Sequence, residues 1–304
     1  MIFSEQGRIG KDLYLLGPPG APVFLILGES VTLVDAGFAS LGPLYVRNME
    51  EILGNRDPDR LLLTHVHFDH CGAAAFFQSR FPRLTICCSR EGQRILGKPR
   101  ALELIHGLNR AAGQMMRDMG LTEEEAEFIP FEVDRIVEDG EVLPISRSSG
   151  IEVLSTPGHT RDSLSFYLPE QGALLCGEAA GVPSAMDYIF TEASSDFDAY
   201  MRSLTRLSQL PLELVCPAHN YVYTGGDARQ YMHRSLEWAG KFKDWVLECM
   251  KEERNDTQRV MERIKSWEYD PLPGPKQPES AYMLNLEAKI KAVMESSQNR
   301  EEQD

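Results

Sequence analysis

Four side chains of metal-ligand type, His65, His67, Asp69 and His70, stand within six residues in the run Thr64-His65-Val66-His67-Phe68-Asp69-His70. The run directly follows the apolar stretch Leu61 to Leu63. Polar groups of this kind cost several kcal/mol when buried without partners, so the chain must fold around something that satisfies them. An extended His65-x-His67 pair projects both imidazoles from one side of a strand end, because side-chain direction repeats every second residue. Asp69 and His70 come after the chain begins to turn and face a second position. Neutral imidazole together with carboxylate suits zinc, and also iron or manganese.

Two further histidines repeat the same context. His159 lies in Thr156-Pro157-Gly158-His159-Thr160 and His219 in Cys216-Pro217-Ala218-His219-Asn220, each just after a strand-like apolar run. Taken alone, either reads as a hydrogen-bonded structural residue. In layered α/β proteins, however, loops beyond strand ends bring distant residues to one point, and the cluster at 65–70 makes both of them ligand candidates.

Short apolar runs ended by turn signals recur through the first part of the chain: 23–27, 31–34, 61–63, 84–88, 151–154, 164–168, 173–176 and 214–216. Runs of this length flanked by Gly, Pro and Asp read as buried strands. Helical patterns fall at 41–53, 72–80 and 196–208, the last with Ser194, Ser195 and Asp196 offering N-caps. The result is a mixed α/β layered protein.

Two regions break that rhythm. Residues 90–127 hold Ile95, Leu96, Leu102, Ile105, Leu108, Met115, Met116 and Met119 at loosely helical spacings and read as a helical insertion of about those bounds. Lysine content rises after Gly225-Gly226, which marks a boundary between a domain at 1–225 and a helical extension at 226–304. The extension reads as helix over 227–267 and 279–295 with a Pro-rich joint at 271–278, and as either a lid or a dimer element.

The formal charge of −15 argues against general affinity for nucleic acid or anionic membranes, whose phosphates repel an acidic surface. No leader or spanning segment is legible, and the six scattered cysteines read as reduced thiols, so a cytoplasmic location is expected. Against that acidic background, residues 80–117 carry eight basic side chains and two acidic ones. Arg94, Lys98 and Arg100 are the expected contacts for an anionic substrate. The competing reading is a basic helical face that pairs with the acidic body.

The stretches Leu33-Val34-Asp35-Ala36-Gly37, Thr64-His65-Val66-His67-Phe68-Asp69-His70-Cys71-Gly72, Thr156-Pro157-Gly158-His159-Thr160, Leu175-Cys176-Gly177-Glu178 and Pro217-Ala218-His219 occur in one order. On these the chain resembles a metallo-β-lactamase-fold hydrolase of the glyoxalase II type. The resemblance implies a four-layer αββα sandwich and two divalent metal ions, zinc first, with iron or manganese as alternatives. It assigns His65, His67 and His159 to one ion and Asp69, His70 and His219 to the other, with Asp35 as support for the histidine loop. One residue departs from the pattern: Glu178 stands where the family has an aspartate that bridges the metals. Its extra methylene moves the carboxylate by about one C–C bond, ~1.5 Å.

The resemblance further implies hydrolysis by a hydroxide held between the ions, with Asp69 as the catalytic carboxylate that orients it and carries its proton to the leaving atom. A thiolate leaves readily near neutral pH, so the expected substrate is a small anionic thioester such as an acyl-CoA. A looser similarity in length, insertion and tail links the chain to the quinolone-signal response proteins. The alternatives are a lactonase or other ester hydrolase on the same site, and a metal-containing regulator acting through a partner. A homodimer is a further expectation.

Overall fold

The computed structural model describes residues 1–184, 186, 188–273 and 276–301. The chain divides into two compact units. The first comprises Met1–Ser155, Asp162–Gly177 and Pro211–Ala228, and the second Thr156–Arg161, Glu178–Leu210 and Arg229–Asp304.

Two seven-stranded sheets make up the first unit. One runs, in spatial order, Gly7–Gly10, Leu13–Leu16, Val23–Ile26, Thr32–Val34, Arg60–Leu62, Thr85–Cys88 and Arg135–Ile136. The other runs Ile2–Phe3, Val222–Thr224, Leu214–Pro217, Ala173–Gly177, Leu164–Leu168, Gly150–Ser155 and Val142–Pro144. Alternate residues of the first sheet serve two cores. Leu13, Leu15, Phe24, Ile26, Val34, Leu62 and Cys87 pack with Ile151, Val153, Phe166 and Leu175 of the other sheet. Their neighbours Leu16, Val23, Leu25, Leu33, Leu61, Ile86 and Cys88 pack instead with Tyr45, Met49 and Phe77 of the helices Gly42–Leu53 and Ala74–Arg80. Burial on both faces is why these strands read as continuous apolar runs rather than as alternating ones.

Helices occupy Arg90–Leu96 and Pro99–Asp118. The longer helix buries Ile105, Asn109, Ala112, Gly113 and Met116. Its buried face thus includes a polar residue, while Met119, counted among the apolar positions of the sequence pattern, is 45% exposed.

The second unit holds the hairpin Val182–Pro183/Ile189–Phe190 and the helices Phe197–Ser208, Thr257–Glu268 and Glu279–Glu301, together with Gly226–Glu252 from Arg229 onward. Asp196, among the cap candidates, accepts the main-chain N–H of Ala199. The single helix expected over 227–267 is two helices. Arg254 and Asn255 adopt left-handed backbone between them, at φ +53° and +64°, and the Asp256 side chain caps the next helix. Trp238 and Trp245 form one stripe, and both meet Trp267, at ring-centroid distances of 6.1 and 5.0 Å. Within the Pro-rich joint, Gly274 and Pro275 lie outside the described residues.

Candidate metal centre

The histidine loop is placed by strand register. Thr32–Val34, Arg60–Leu62 and Thr85–Cys88 run parallel, with Val34 opposite Leu62 and Leu62 opposite Cys87. Asp35 and Thr64 therefore leave the sheet at the same end. Asp35 takes left-handed backbone, φ +62°, with its side chain buried, and its own N–H donates to the Leu62 carbonyl.

From that position one carboxylate organises the loop. Asp35 Oδ1 accepts the Thr64 N–H at 2.8 Å, and Thr64 Oγ1 donates to the same carboxylate at 2.9–3.0 Å. With its proton so used, the Thr64 hydroxyl accepts from His65 Nδ1 at 3.1 Å. His70 Nδ1 donates to Asp35 Oδ2 at 2.9 Å. Both histidines thereby carry hydrogen on Nδ1, and their Nε2 atoms present the lone pair that a metal needs.

Two residues that the sequence reading missed complete the support. Asn109, on the buried face of the Pro99–Asp118 helix, accepts the Ala39 N–H at 2.9 Å and donates to the carbonyl of Phe68 at 3.0 Å. Gly72 is required at their junction, since a Cβ there would lie 2.6 Å from Asn109 Oδ1 and the Gly37 oxygen. Asp162 Oδ2 accepts the Val66 N–H at 2.9 Å and so fixes the backbone between His65 and His67. Asp162 follows His159 by three positions, the one sequence cue to its role.

His219 arrives on the Leu214–Pro217 strand, which pairs in parallel with Ala173–Gly177. The Ala218 N–H donates to the Gly177 carbonyl, and Asn220 turns the chain at φ +72°. His219 Nδ1 donates to the Gly20 carbonyl at 2.9 Å. Its Nε2 stands 3.6 Å from Asp69 Oδ2, and His70 Nε2 stands 3.9 Å from that same oxygen. These separations exceed a hydrogen bond. They match donors arranged about one ion, since two ligand atoms ~2.1 Å from a tetrahedral metal stand ~3.4 Å apart. The His65 ring lies 4.5 Å from that of His67 and 4.2 Å from that of His70, centre to centre. Five of the seven expected ligands thus gather in the first unit, and as a donor set they fit divalent cations.

The remaining two lie in the second unit. His159 is buried, and its Nδ1 donates to the Glu192 carbonyl at 2.8 Å. The preceding Gly158, at φ +134°, passes so close to Tyr200 that a Cβ would lie 2.3 Å from its backbone. Glu178 is also buried, and the turn after it is held by Tyr231 and Ser235, whose hydroxyls donate to the Ala180 carbonyl.

The basic insertion divides into paired and unpaired cations. Arg80, Arg83, Arg90 and Arg94 pair with Glu50, Asp57, Glu138 and Glu91. Lys98, Arg100 and Arg110 are exposed and make no ion pair among the described residues. All six cysteines are buried free thiols. No helix among the described residues is long and apolar enough to cross a membrane.

The metallo-beta-lactamase superfamily model matches residues 16–219. A hydroxyacylglutathione hydrolase of Haemophilus ducreyi is 29% identical over 165 residues, covering 54% of this chain and 52% of that protein. A lactamase-like protein of Emericella nidulans is 26% identical over 215 residues, 70% of this chain and 52% of that one. The chain thus spans about half the length of these curated relatives. In fold it is similar to a metallo-beta-lactamase family protein of Thermus thermophilus, with a TM-score of 0.62 at 23% identity over 95% of this chain and 94% of that one.

Proposed function

The chain belongs to the metallo-beta-lactamase superfamily, and we propose that within it this protein is a dinuclear-metal hydrolase cleaving a thioester such as an acyl-CoA. The observation that carries the reading is the approach of Asp69 Oδ2 to Nε2 of both His70 and His219, at 3.9 and 3.6 Å, with each ring's Nδ1 already engaged. On the resemblance, His65, His67 and His159 are assigned to one ion and Asp69, His70 and His219 to the other, with Glu178 at the bridging position. Within the first unit, Asp69, His70 and His219 already converge as donors. Zinc heads the choice by ligand type, with iron or manganese as alternatives.

Two divalent ions would supply Lewis acidity, lowering the pKa of water to ~7 and polarising a carbonyl. The chain's own residues do the rest. Asp69 takes a proton from the attacking water and delivers it to the departing sulfur as the C–O bond forms and the C–S bond breaks. Asp35 and Thr64 hold His65 and His70 in one tautomer throughout. Lys98 and Arg100, with Arg94 beside them, receive the substrate's phosphates. A cytoplasmic setting suits the six free thiols.

The test is metal analysis of the purified protein with a panel of acyl-CoA, acylglutathione and lactone substrates. Hydroxyacylglutathione belongs in the panel because the Haemophilus relative carries that activity in its name. Fewer than one metal per chain with no hydrolysis of any panel member would sink the proposal. Hydrolysis of lactones alone would move the substrate class to esters. An Asp69→Asn variant that loses turnover but keeps its biological effect would favour a regulator acting through a partner.

A further inference from the structure

Lys289, on the Glu279–Glu301 helix, has a side chain only 2% exposed. An ammonium removed from water costs several kcal/mol unless partners surround it. Its Nζ lies 3.5 Å from Glu192 Oε1 and 3.9 Å from Glu268 Oε2. Glu268 is itself fully buried and accepts hydrogen bonds from the hydroxyls of Tyr188 and Tyr282. Burial lowers the Lys289 pKa, but the two carboxylates outweigh it and the net shift is upward, so the side chain stays charged. The rings of Phe190 and Phe242 lie 5.7 and 5.6 Å from the ammonium and add cation–π contact.

Glu192 has a second engagement. Its side chain takes Lys289, while its main-chain carbonyl takes the Nδ1 hydrogen of His159 at 2.8 Å. One residue therefore joins a buried charge on the last helix to a histidine of the proposed metal set. All of these groups lie in the second unit.

We propose that Lys289 is a positioning residue for His159: it anchors Glu192 so that the Glu192 carbonyl fixes the His159 ring in one orientation and one tautomer, with Nε2 free of hydrogen. The inference rests on the metal-ion reading above. A purely structural purpose accounts poorly for the pair, because buried ion pairs are commonly replaced by apolar groups without loss of stability. Groups that orient a metal-binding histidine, in contrast, typically change metal affinity 10- to 100-fold when removed.

The experiment compares the full-length wild type with Lys289→Met, Glu192→Gln and the double variant. Zn(II) affinity is measured by chelator competition, and the His159 ring nitrogens are followed by NMR in the metal-free protein. The expected result is a loss of Zn(II) affinity of about tenfold or more in each single variant, no further loss in the double variant, and a mixed His159 tautomer. Single variants within twofold of wild type, with unchanged His159 signals, would overturn the proposal. If Lys289→Met does not fold, Glu192→Gln carries the same readouts, since it exchanges one atom at a side chain that is 12% exposed. A wild type that binds no Zn(II) would count against the dinuclear reading, whereas the His159 tautomer would still decide the role of Lys289.

Discussion

Asp35 Oδ2 stands 2.9 Å from His70 Nδ1, and the same carboxylate receives the N–H and the hydroxyl of Thr64. Three donors on one buried acceptor make Asp35 the support of Thr64 and His70, beside Asp162 and Asn109, which hold the backbone at Val66 and Phe68. Asn at this position keeps an oxygen for the Thr64 N–H but turns an amide N–H towards His70 Nδ1, so that donor meets donor. Asp35→Asn is expected to weaken metal binding about 10- to 100-fold, measured by chelator competition. Unchanged affinity would remove Asp35 from the loop's support.

Gly158 makes the turn that delivers His159. At φ +134°, with a Cβ 2.3 Å from the Tyr200 backbone, it cannot take a side chain without displacing the Phe197–Ser208 helix. Gly158→Ala should cost on the order of 3 kcal/mol in denaturant unfolding. Gly120→Ala, where φ is also positive but the added Cβ meets nothing within 4 Å, should cost roughly 1 kcal/mol.

Charge recognition by the insertion has a graded signature. Arg94 is engaged with Glu91 at 2.6 Å, whereas Lys98 and Arg100 are not paired among the described residues. The Lys98→Ala/Arg100→Ala variant should raise KM for an acyl-CoA several-fold with kcat little changed, and Arg94→Ala less. Steady-state kinetics at two ionic strengths should show the difference shrinking as salt rises. A KM that does not move would leave the basic helix as a partner of the acidic body only.

The buried thiols predict an alkaline limit to stability. Burial pushes Cys87 up to about 11 and Cys88 up to about 12. Each starts from 9.0, so the folded state favours the neutral thiol. Their contribution is complete below pH 9 and is lost as pH rises through 11 to 12. Denaturant midpoints measured from pH 8 to 11 should fall above pH 9, and a Cys87→Ala/Cys88→Ala variant should flatten that decline. Alkylation of the native protein near neutral pH should be slow, with all six thiols reacting only after unfolding.

Much of the fold was legible because its signals are local. Strands such as Val23–Ile26 and Leu214–Pro217 are buried at every position and therefore appear as unbroken apolar runs between turn residues. The strands Ile2–Phe3, Gly7–Gly10 and Val142–Pro144 escaped because they are short, partly exposed and mixed in composition. The break at Arg254-Asn255 escaped for a different reason, since left-handed backbone there carries no Gly or Pro to announce it.

The site divides along the same line. His65-x-His67-x-Asp69-His70 is legible from side-chain period and residue chemistry, so the sequence alone determined which donor-type side chains follow the Arg60–Leu62 strand and in what order. Which group holds each Nδ1 was decided only by the tertiary structure: Asp35 for His70, Gly20 for His219, Glu192 for His159. So too was the burial of Asn109 and Lys289, which in sequence look like ordinary polar positions on solvated helices. The physical reason is that a ligand's identity is a property of one residue, whereas its orientation, tautomer and dielectric surroundings belong to partners that only folding brings within reach.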